Sequence, residues 1–249
     1  MARYKITLAY DGTLFQGFQR QKRKTVDART VQGVFELALH QIGWTGRSIL
    51  AAGRTDSGVH ASGQVVAFDL DWRHSLDALQ AALNAGLPED VSVRAVDMAA
   101  DDFHPRYSAV SRRYRYTIYC QPNRDPLRDR YAWRVWPALD LELLQRFAGE
   151  LHGTHDFADF GTPPRSNGST IRSIFKAEWS AGNGSLIFEV TGNAFLYRMV
   201  RRLVYFQVAV AQGKLDVQAI SDRLYGTKRQ MVQGLAPAQG LVLVEVSYL

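Results

Sequence analysis

The sequence of 249 residues holds a single cysteine, Cys120. One thiol can neither close an internal disulfide nor furnish a cysteine-based zinc site, so a stapled secreted framework and a zinc ribbon are both excluded, and a reducing, cytoplasmic setting is expected. Long hydrophobic runs are missing too. The longest, such as VVAF and LVLV, fall far below the ~20 residues of a membrane span. The opening MARYKITLAY alternates apolar and polar residues where a targeting peptide would carry a basic stretch and an apolar block. Neither a targeting nor a membrane segment is expected. There is no Walker-type phosphate loop, no dinucleotide fingerprint after a strand and no HExxH. Nucleotide hydrolysis, hydride transfer and zinc catalysis are disfavoured accordingly, and no cofactor is expected. Internal repeats and low-complexity tracts are likewise absent.

What is present is a foldable, basic chain. Hydrophobic residues make up 46%, aromatics 11% and charged residues 22%, enough apolar surface to offset the ordering entropy that keeps charged, aromatic-poor chains disordered. The net charge of +6 is unevenly spread. Residues 3–29 hold seven basic and two acidic side chains, 101–134 eight and four, and 165–202 six and two, so the rest of the chain carries −7. Positive segments interleaved with tyrosine, tryptophan and phenylalanine suit a polyanionic nucleic acid. Solvated strands and loops of a basic protein are the plainer reading.

Alternation and β-rich runs predict strands at 3–10, 64–70, 91–98, 112–119, 171–179, 185–191 and 241–248. Helices are predicted over 31–42 behind a Thr30 cap, from Ser75 to near Gly86, and after Asp140 with Leu143, Leu144, Phe147 and Leu151 on one face. Two more are predicted over 195–212 and 216–225, while 121–130 and 162–169 have the proline, glycine and asparagine density of loops. The order suggests two α/β halves of similar size with a boundary near 99–111.

Three constellations carry chemistry. Gly53-Arg54-Thr55-Asp56-Ser57-Gly58-Val59-His60 places an arginine and an aspartate in a tight loop before a strand. Flanking glycines permit close approach of backbone and ligand, and an ionised carboxylate can serve as nucleophile or as electrostatic stabiliser at a glycosidic bond. A turn whose Asp and Thr side chains satisfy backbone amides explains the same residues. In Arg112-Arg113-Tyr114-Arg115-Tyr116, alternation puts Arg112, Tyr114 and Tyr116 on one face, and aromatic rings beside guanidinium groups suit base stacking and phosphate contact. Tyr116 is better read as core. In the third, Arg198, Arg201 and Arg202 lie three and four apart at the start of a predicted helix, able to meet a carboxylate or a phosphate together, or simply to keep the helix soluble. Arg20, Lys22, Arg112, Arg113, Arg198 and Arg202 are the further candidate RNA contacts. A metal reading of His152, His155 and Asp156 lacks an acidic cluster to support it, and no metal site is expected.

Taken together these segments resemble the tRNA pseudouridine synthase A family over nearly the whole chain. The resemblance rests on Tyr10-Asp11-Gly12 with Gly17-Phe18-Gln19-Arg20-Gln21, on Ala52-Gly53-Arg54-Thr55-Asp56 with Gly58-Val59-His60 and Gly63-Gln64-Val65, and on Asp102-Phe103-His104. It continues through Arg112-Arg113-Tyr114, Gly153-Thr154-His155-Asp156-Phe157, Asn193-Ala194-Phe195 with Met199-Val200-Arg201, and Ala236-Pro237-Ala238 with Gly240-Leu241. Ser57 stands where the family often has alanine, and Gln239 where glutamate is frequent.

The resemblance implies an α+β fold: two α/β subdomains, 1–104 and 105–249, with mainly antiparallel mixed sheets joined into one extended sheet, helices on one face and an RNA cleft on the other. It implies isomerisation of uridine to pseudouridine at positions 38, 39 and 40 of the tRNA anticodon stem-loop, by a homodimer without cofactor or metal. Asp56 would be the catalytic aspartate, acting by attack on C1′ or by abstraction of the 2′ proton. Tyr114 would contact the substrate, Arg54 the RNA near the displaced base, and Arg201 would be the basic partner of Asp56. The alternative from another class is a non-catalytic two-domain RNA-binding module.

Overall fold

The structure, a computed structural model, describes residues 1–21, 28–163, 167–226 and 230–249. Lys22 and part of two of the basic segments lie outside the described residues. The chain forms two compact units, Met1–Val110 with Val242–Leu249, and Ser111–Leu241. A sequential division between 104 and 105 would leave the terminal strand with the second half; instead the chain end returns to the first unit, where that strand finds a parallel partner.

The first unit runs β1 (Ala2–Tyr10), α1 (Val31–Gln41), β2 (Leu50–Ala51), β3 (His60–Leu70), α2 (Leu76–Gly86) and β4 (Val91–Ala99), and is closed by the last strand, β10 (Leu241–Tyr248). The strand order is β4-β1-β3-β10, with β2 also on β3. β1 is antiparallel to both β3 and β4, and β10 is parallel to β3. Alternation in β1 buries Tyr4, Ile6, Leu8 and Tyr10. Its other face carries Arg3 and Lys5, which pair with Asp69 and Asp97. β3 is buried along nearly its whole length, as expected of a central strand covered on both faces. Phe35 of α1 meets Phe68 of β3 with ring centroids 6.0 Å apart. Thr30 caps α1 by accepting from the Gly33 N–H, and Ser75 caps α2 through the Ala78 N–H. Asn84 then ties α2 to β4, since its amide both donates to and accepts from the Val93 backbone.

The second unit runs β5 (Ala109–Cys120), α3 (Pro126–Asp129), β6 (Trp133–Val135), α4 (Leu141–Glu150), β7 (Gly153–Asp156), β8 (Ile171–Gly182), β9 (Ser185–Gly192), α5 (Met199–Ala211) and α6 (Ala219–Tyr225). Its sheet, β5-β9-β8-β7, is antiparallel throughout, with β6 parallel to β5. Asn183 and Gly184, both at positive φ, turn β8 into β9 as a two-residue hairpin loop requires. Tyr116, Phe188 and Trp179 form a buried row across three strands. α5 covers that row: Gln207 accepts from the Trp179 indole N–H at 2.9 Å, and Tyr205 stacks on Trp133, which meets Tyr116 edge-on.

Two predicted helices start later than their apolar spacing suggests. Residues 193–198 are not helical: Tyr197 pairs with Thr162 in an isolated bridge, and Arg198 sits at φ 63° as the N-cap of α5. Arg198 therefore does not share a helix face with Arg201 and Arg202. α6 begins at Ala219, three residues beyond the predicted start. The stretch 121–130 contains the short helix α3, capped by Asp125 with proline in its first turn. Among the described residues no helix is long and apolar enough to cross a membrane.

Candidate active site

The loop of residues 53–58 joins β2 to β3 in the first unit, and its backbone is held from several sides. Gln64, wholly buried in β3, donates through Nε2 to the Gly53 carbonyl at 3.1 Å and to the Tyr10 hydroxyl at 3.4 Å. The Tyr10 hydroxyl lies 2.8 Å from Oγ1 of buried Thr55. On the far side, the Phe18 N–H donates to the Thr55 carbonyl at 3.0 Å, and Ser57 Oγ donates to the Phe15 carbonyl at 3.1 Å. A turn closes where the Val59 N–H donates to the Asp56 carbonyl. Asp56 is half-buried in this cradle, Arg54 exposed beside it.

Such close layering of two loops needs glycine at two points. A Cβ on Gly12 would come within 2.1 Å of the Val59 carbonyl oxygen. Gly17, at φ +91°, faces the Thr55 carbonyl, 3.0 Å from where a Cβ would stand. The first loop is itself anchored: Asp11 caps the short 3₁₀ turn Gly12–Leu14, and Arg29 covers the Phe15 ring while forming a two-pronged pair with Asp90 at 2.8 Å per bond.

The second unit holds the other candidates. Tyr114, half-buried on β5, meets Phe195 edge-on at 5.1 Å. Arg112, two residues before it on the same face, is buried and donates to the Asn193 carbonyl at 2.7 Å. Two residues beyond, Tyr116 donates to the Pro237 carbonyl at 2.7 Å. Gly240 makes room for that ring, since a Cβ there would stand 2.6 Å from it. Arg201, in the first turn of α5, donates through Nε to the Ala236 carbonyl, whose own N–H donates back to the Arg201 carbonyl. Burial drives the Tyr116 phenol far above its ordinary value, against the opposing pull of the Arg201 charge. Tyr116 therefore stays a hydroxyl donor, and the 236–237 backbone is gripped by β5 and α5 together.

The remaining basic candidates have partners of their own. Arg20 pairs with buried Glu36 at 2.9 Å, Arg113 stands 3.7 Å from Glu189, and Arg202 donates to the Val232 and Tyr197 carbonyls. Arg198 lies over the Tyr197 ring at 4.8 Å. The structure does not bring His152, His155 and Asp156 together as ligands. His155 and Asp156 are successive residues of β7 and so project to opposite faces; His155 Nε2 contacts the His152 carbonyl, and Asp156 accepts from Thr170 and the Ala158 N–H. Among the described residues no cluster of metal-ligating side chains occurs.

Comparison with known proteins places the chain in a family. A family model described as tRNA pseudouridine synthase matches residues 6–108 and 147–249. The chain belongs to the tRNA pseudouridine synthase family. It is 41% identical over 248 residues to the tRNA pseudouridine synthase A of Geobacillus kaustophilus, covering 99% of this chain and 94% of that one. It is 38% identical over 251 residues to the namesake of Streptococcus equi subsp. equi, covering 100% and 99%, and 40% identical over 250 residues to that of Latilactobacillus sakei, covering 99% and 98%. Members of this synthase family are isomerases that convert uridine to pseudouridine. Arg54, Asp56 and Arg201 lie in the matched stretches; Arg112, Arg113 and Tyr114 lie between them, in a region the full-length relatives nonetheless span. The synthase's supporting residues Gly12, Gly17, Gln64 and Tyr116 have no chemical signature of their own. Gly12, Gly17 and Gln64 are marked only by lying within the family-like stretches, and Tyr116 only by standing two residues beyond Tyr114 on the same strand face.

Proposed function

We propose that this synthase isomerises uridines 38, 39 and 40 of the tRNA anticodon stem-loop, with Asp56 as the nucleophile. The observation that carries the reading is the cradle of Phe18, Tyr10 and Gln64, which holds Gly53 and Thr55 of the loop that carries Asp56. Catalytic groups work when their geometry is set in advance. A stem uridine is inaccessible until flipped out of its helix, at a cost of a few kcal/mol. Arg54, exposed beside the carboxylate, holds the strand as the base leaves it, and Tyr114 packs against the uracil ring. Asp56 attacks C1′ and the C1′–N1 bond breaks. The base turns and C5 joins C1′ as the carboxylate leaves; C5 loses its proton, N1 gains one, and the formula of the RNA is unchanged. Arg201, fixed through Ala236, supplies a guanidinium suited to a carboxylate or a phosphate.

The test is to map pseudouridine in tRNA from cells lacking this chain and from the same cells given it back, with wild-type and Asp56→Asn forms. Pseudouridine at 38, 39 and 40 returning with wild type alone supports the assignment; its return with the variant, or at other positions only, refutes it. The synthase is proposed to act as a homodimer, as its resemblance implies, so light scattering should give twice the 28.0 kDa chain mass. A rival reading as a non-catalytic RNA-binding module predicts tRNA binding with no pseudouridine at all.

A further inference from the structure

Outside the candidate site, the buried carboxylate of Glu36 joins an ion pair and several hydrogen bonds that lead to the 53–58 loop. It is 2% exposed and is the sixth residue of α1. Its Oε1 accepts from Gln32 Nε2 at 2.7 Å and from the Ile49 N–H at 3.1 Å, while Oε2 lies 2.9 Å from Arg20 Nη1. Gln32, also buried, turns its carbonyl oxygen to the Arg20 N–H at 3.0 Å and its amide to Ser48 Oγ at 2.9 Å. Arg20 completes the set by donating through Nη2 to the Arg47 carbonyl. Side chain and backbone of Arg20 are thus both fastened to α1 and the segment that follows it.

That fastening leads to Asp56 in few steps. The first N–H groups of a helix have no partner within it. Here the Val31 N–H donates to the Gly17 carbonyl and the Gln32 N–H to the Phe18 carbonyl, at 3.3 and 2.9 Å. Phe18 in turn donates its own N–H to the Thr55 carbonyl, one residue before Asp56. Residues 17–20 are therefore gripped along their length by the start of α1, and they present one N–H to the catalytic loop. An ion pair with one partner 41% exposed is a weak source of net stability. Its use here is in fixing one arrangement of the segment.

We propose that Arg20 and Glu36 are positioning residues for Asp56, acting through Gln32 and Phe18, and that Arg20 is not a phosphate contact. This rests on the reading of Asp56 as the catalytic carboxylate. The full-length synthase is tested as Arg20→Gln, Glu36→Gln and the double variant, with Asp56→Asn alongside. Three quantities are read: the single-turnover rate at saturating enzyme, the tRNA Kd across a salt series, and the melting temperature. Misplacement by a fraction of an ångström to 1 Å should slow turnover roughly 10- to 100-fold. Both single variants should show that loss with Kd within about twofold and an unchanged salt slope, and the double variant should be no slower than the slower single, as expected for one coupled unit.

The proposal is overturned if Arg20→Gln keeps the wild-type rate at saturation but weakens binding and reduces the salt slope by about one, the signature of a lost phosphate contact. It is equally overturned if folded Glu36→Gln turns over at the wild-type rate. Should Glu36→Gln fail to fold, Arg20→Gln decides alone, because its side chain is 41% exposed. An inactive Asp56→Asn beside a fully active Arg20→Gln sinks only the positioning claim, whereas an active Asp56→Asn sinks the underlying reading and this proposal with it.

Discussion

At the scale of single residues, the polar groups that hold the candidate site are mostly not those that would touch substrate. Tyr116 shows this best. Tyr116→Phe removes the bond to the Pro237 carbonyl and leaves that acceptor without its donor, a loss of about 1 kcal/mol in urea unfolding. Because the 236–237 segment also receives Arg201, turnover should fall as well. The pH dependence has a definite sign. Burial raises the folded phenol above the ordinary 10.0, so the unfolded chain gives up this proton first, and stability falls as pH rises past about 10. Unfolding curves for the wild type should steepen their decline there, and those for Tyr116→Phe should decline less. Gly17→Ala forces a side chain into a positive-φ position against the Thr55 carbonyl. A cost of roughly 1–3 kcal/mol is expected, with turnover reduced more than tRNA binding. The sequence displays Asp56, Arg54, Tyr114 and Arg201 through short motifs. It does not display the Glu36 and Gln32 network or the contact of Phe18 with Thr55, because each joins residues from separate segments that no local pattern relates.

At the scale of elements, legibility follows length and burial. β1 reads directly because one face meets the core and the other meets solvent, giving the alternation of Tyr4, Ile6, Leu8 and Tyr10 with Arg3 and Lys5. β2, β6 and β7 span two to four residues, too few for any period to show. The start of α5 is misread for a different reason. Apolar residues continue upstream at helical spacing, but Tyr197 pairs with Thr162 and Arg198 adopts a left-handed conformation, so tertiary pairing overrides local preference. The caps are where sequence and structure agree most closely. Asp140 accepts from the Glu142 and Leu143 N–H groups of α4. Asp140→Ala should cost about 1 kcal/mol in chemical unfolding. Across β1 and β3, the Arg3 hydrogen bond holds the Asp69 carboxyl below its ordinary value. Its contribution is complete above pH about 4 and is lost as pH falls through the lowered value; as Asp69 is half exposed, the ion pair lost in Arg3→Ala should be worth less than about 1 kcal/mol at pH 7, and in strong acid only the loss of the bond to the Phe103 carbonyl should remain.

At the scale of the whole molecule, internal ion pairs leave the net charge of +6 unchanged but engage some of the basic side chains. Arg20 with Glu36, Arg29 with Asp90 and Arg115 with Glu189 are paired within their own units, so the count of basic residues in a segment overstates the charge offered to RNA. Binding should still weaken with salt, by on the order of tenfold or more between 50 and 200 mM, if even two or three phosphates are neutralised. An affinity flat across that range would remove phosphate contact from the account. The alternating strands, capped helices and two-unit order were open to reading from the chain alone; the return of Val242–Leu249 to the first unit was not, because a parallel pairing of distant strands leaves no mark in either one. The central claim is that one carboxylate, held by the loop of 53–58, performs the isomerisation. Tritium release from tRNA carrying C5-tritiated uridine, measured with wild type and with Asp56→Asn at matched tRNA occupancy, tests it most directly. Release by wild type and none by the variant, with tRNA affinity kept within a few-fold, is the predicted result; release by the variant at a comparable rate would contradict it.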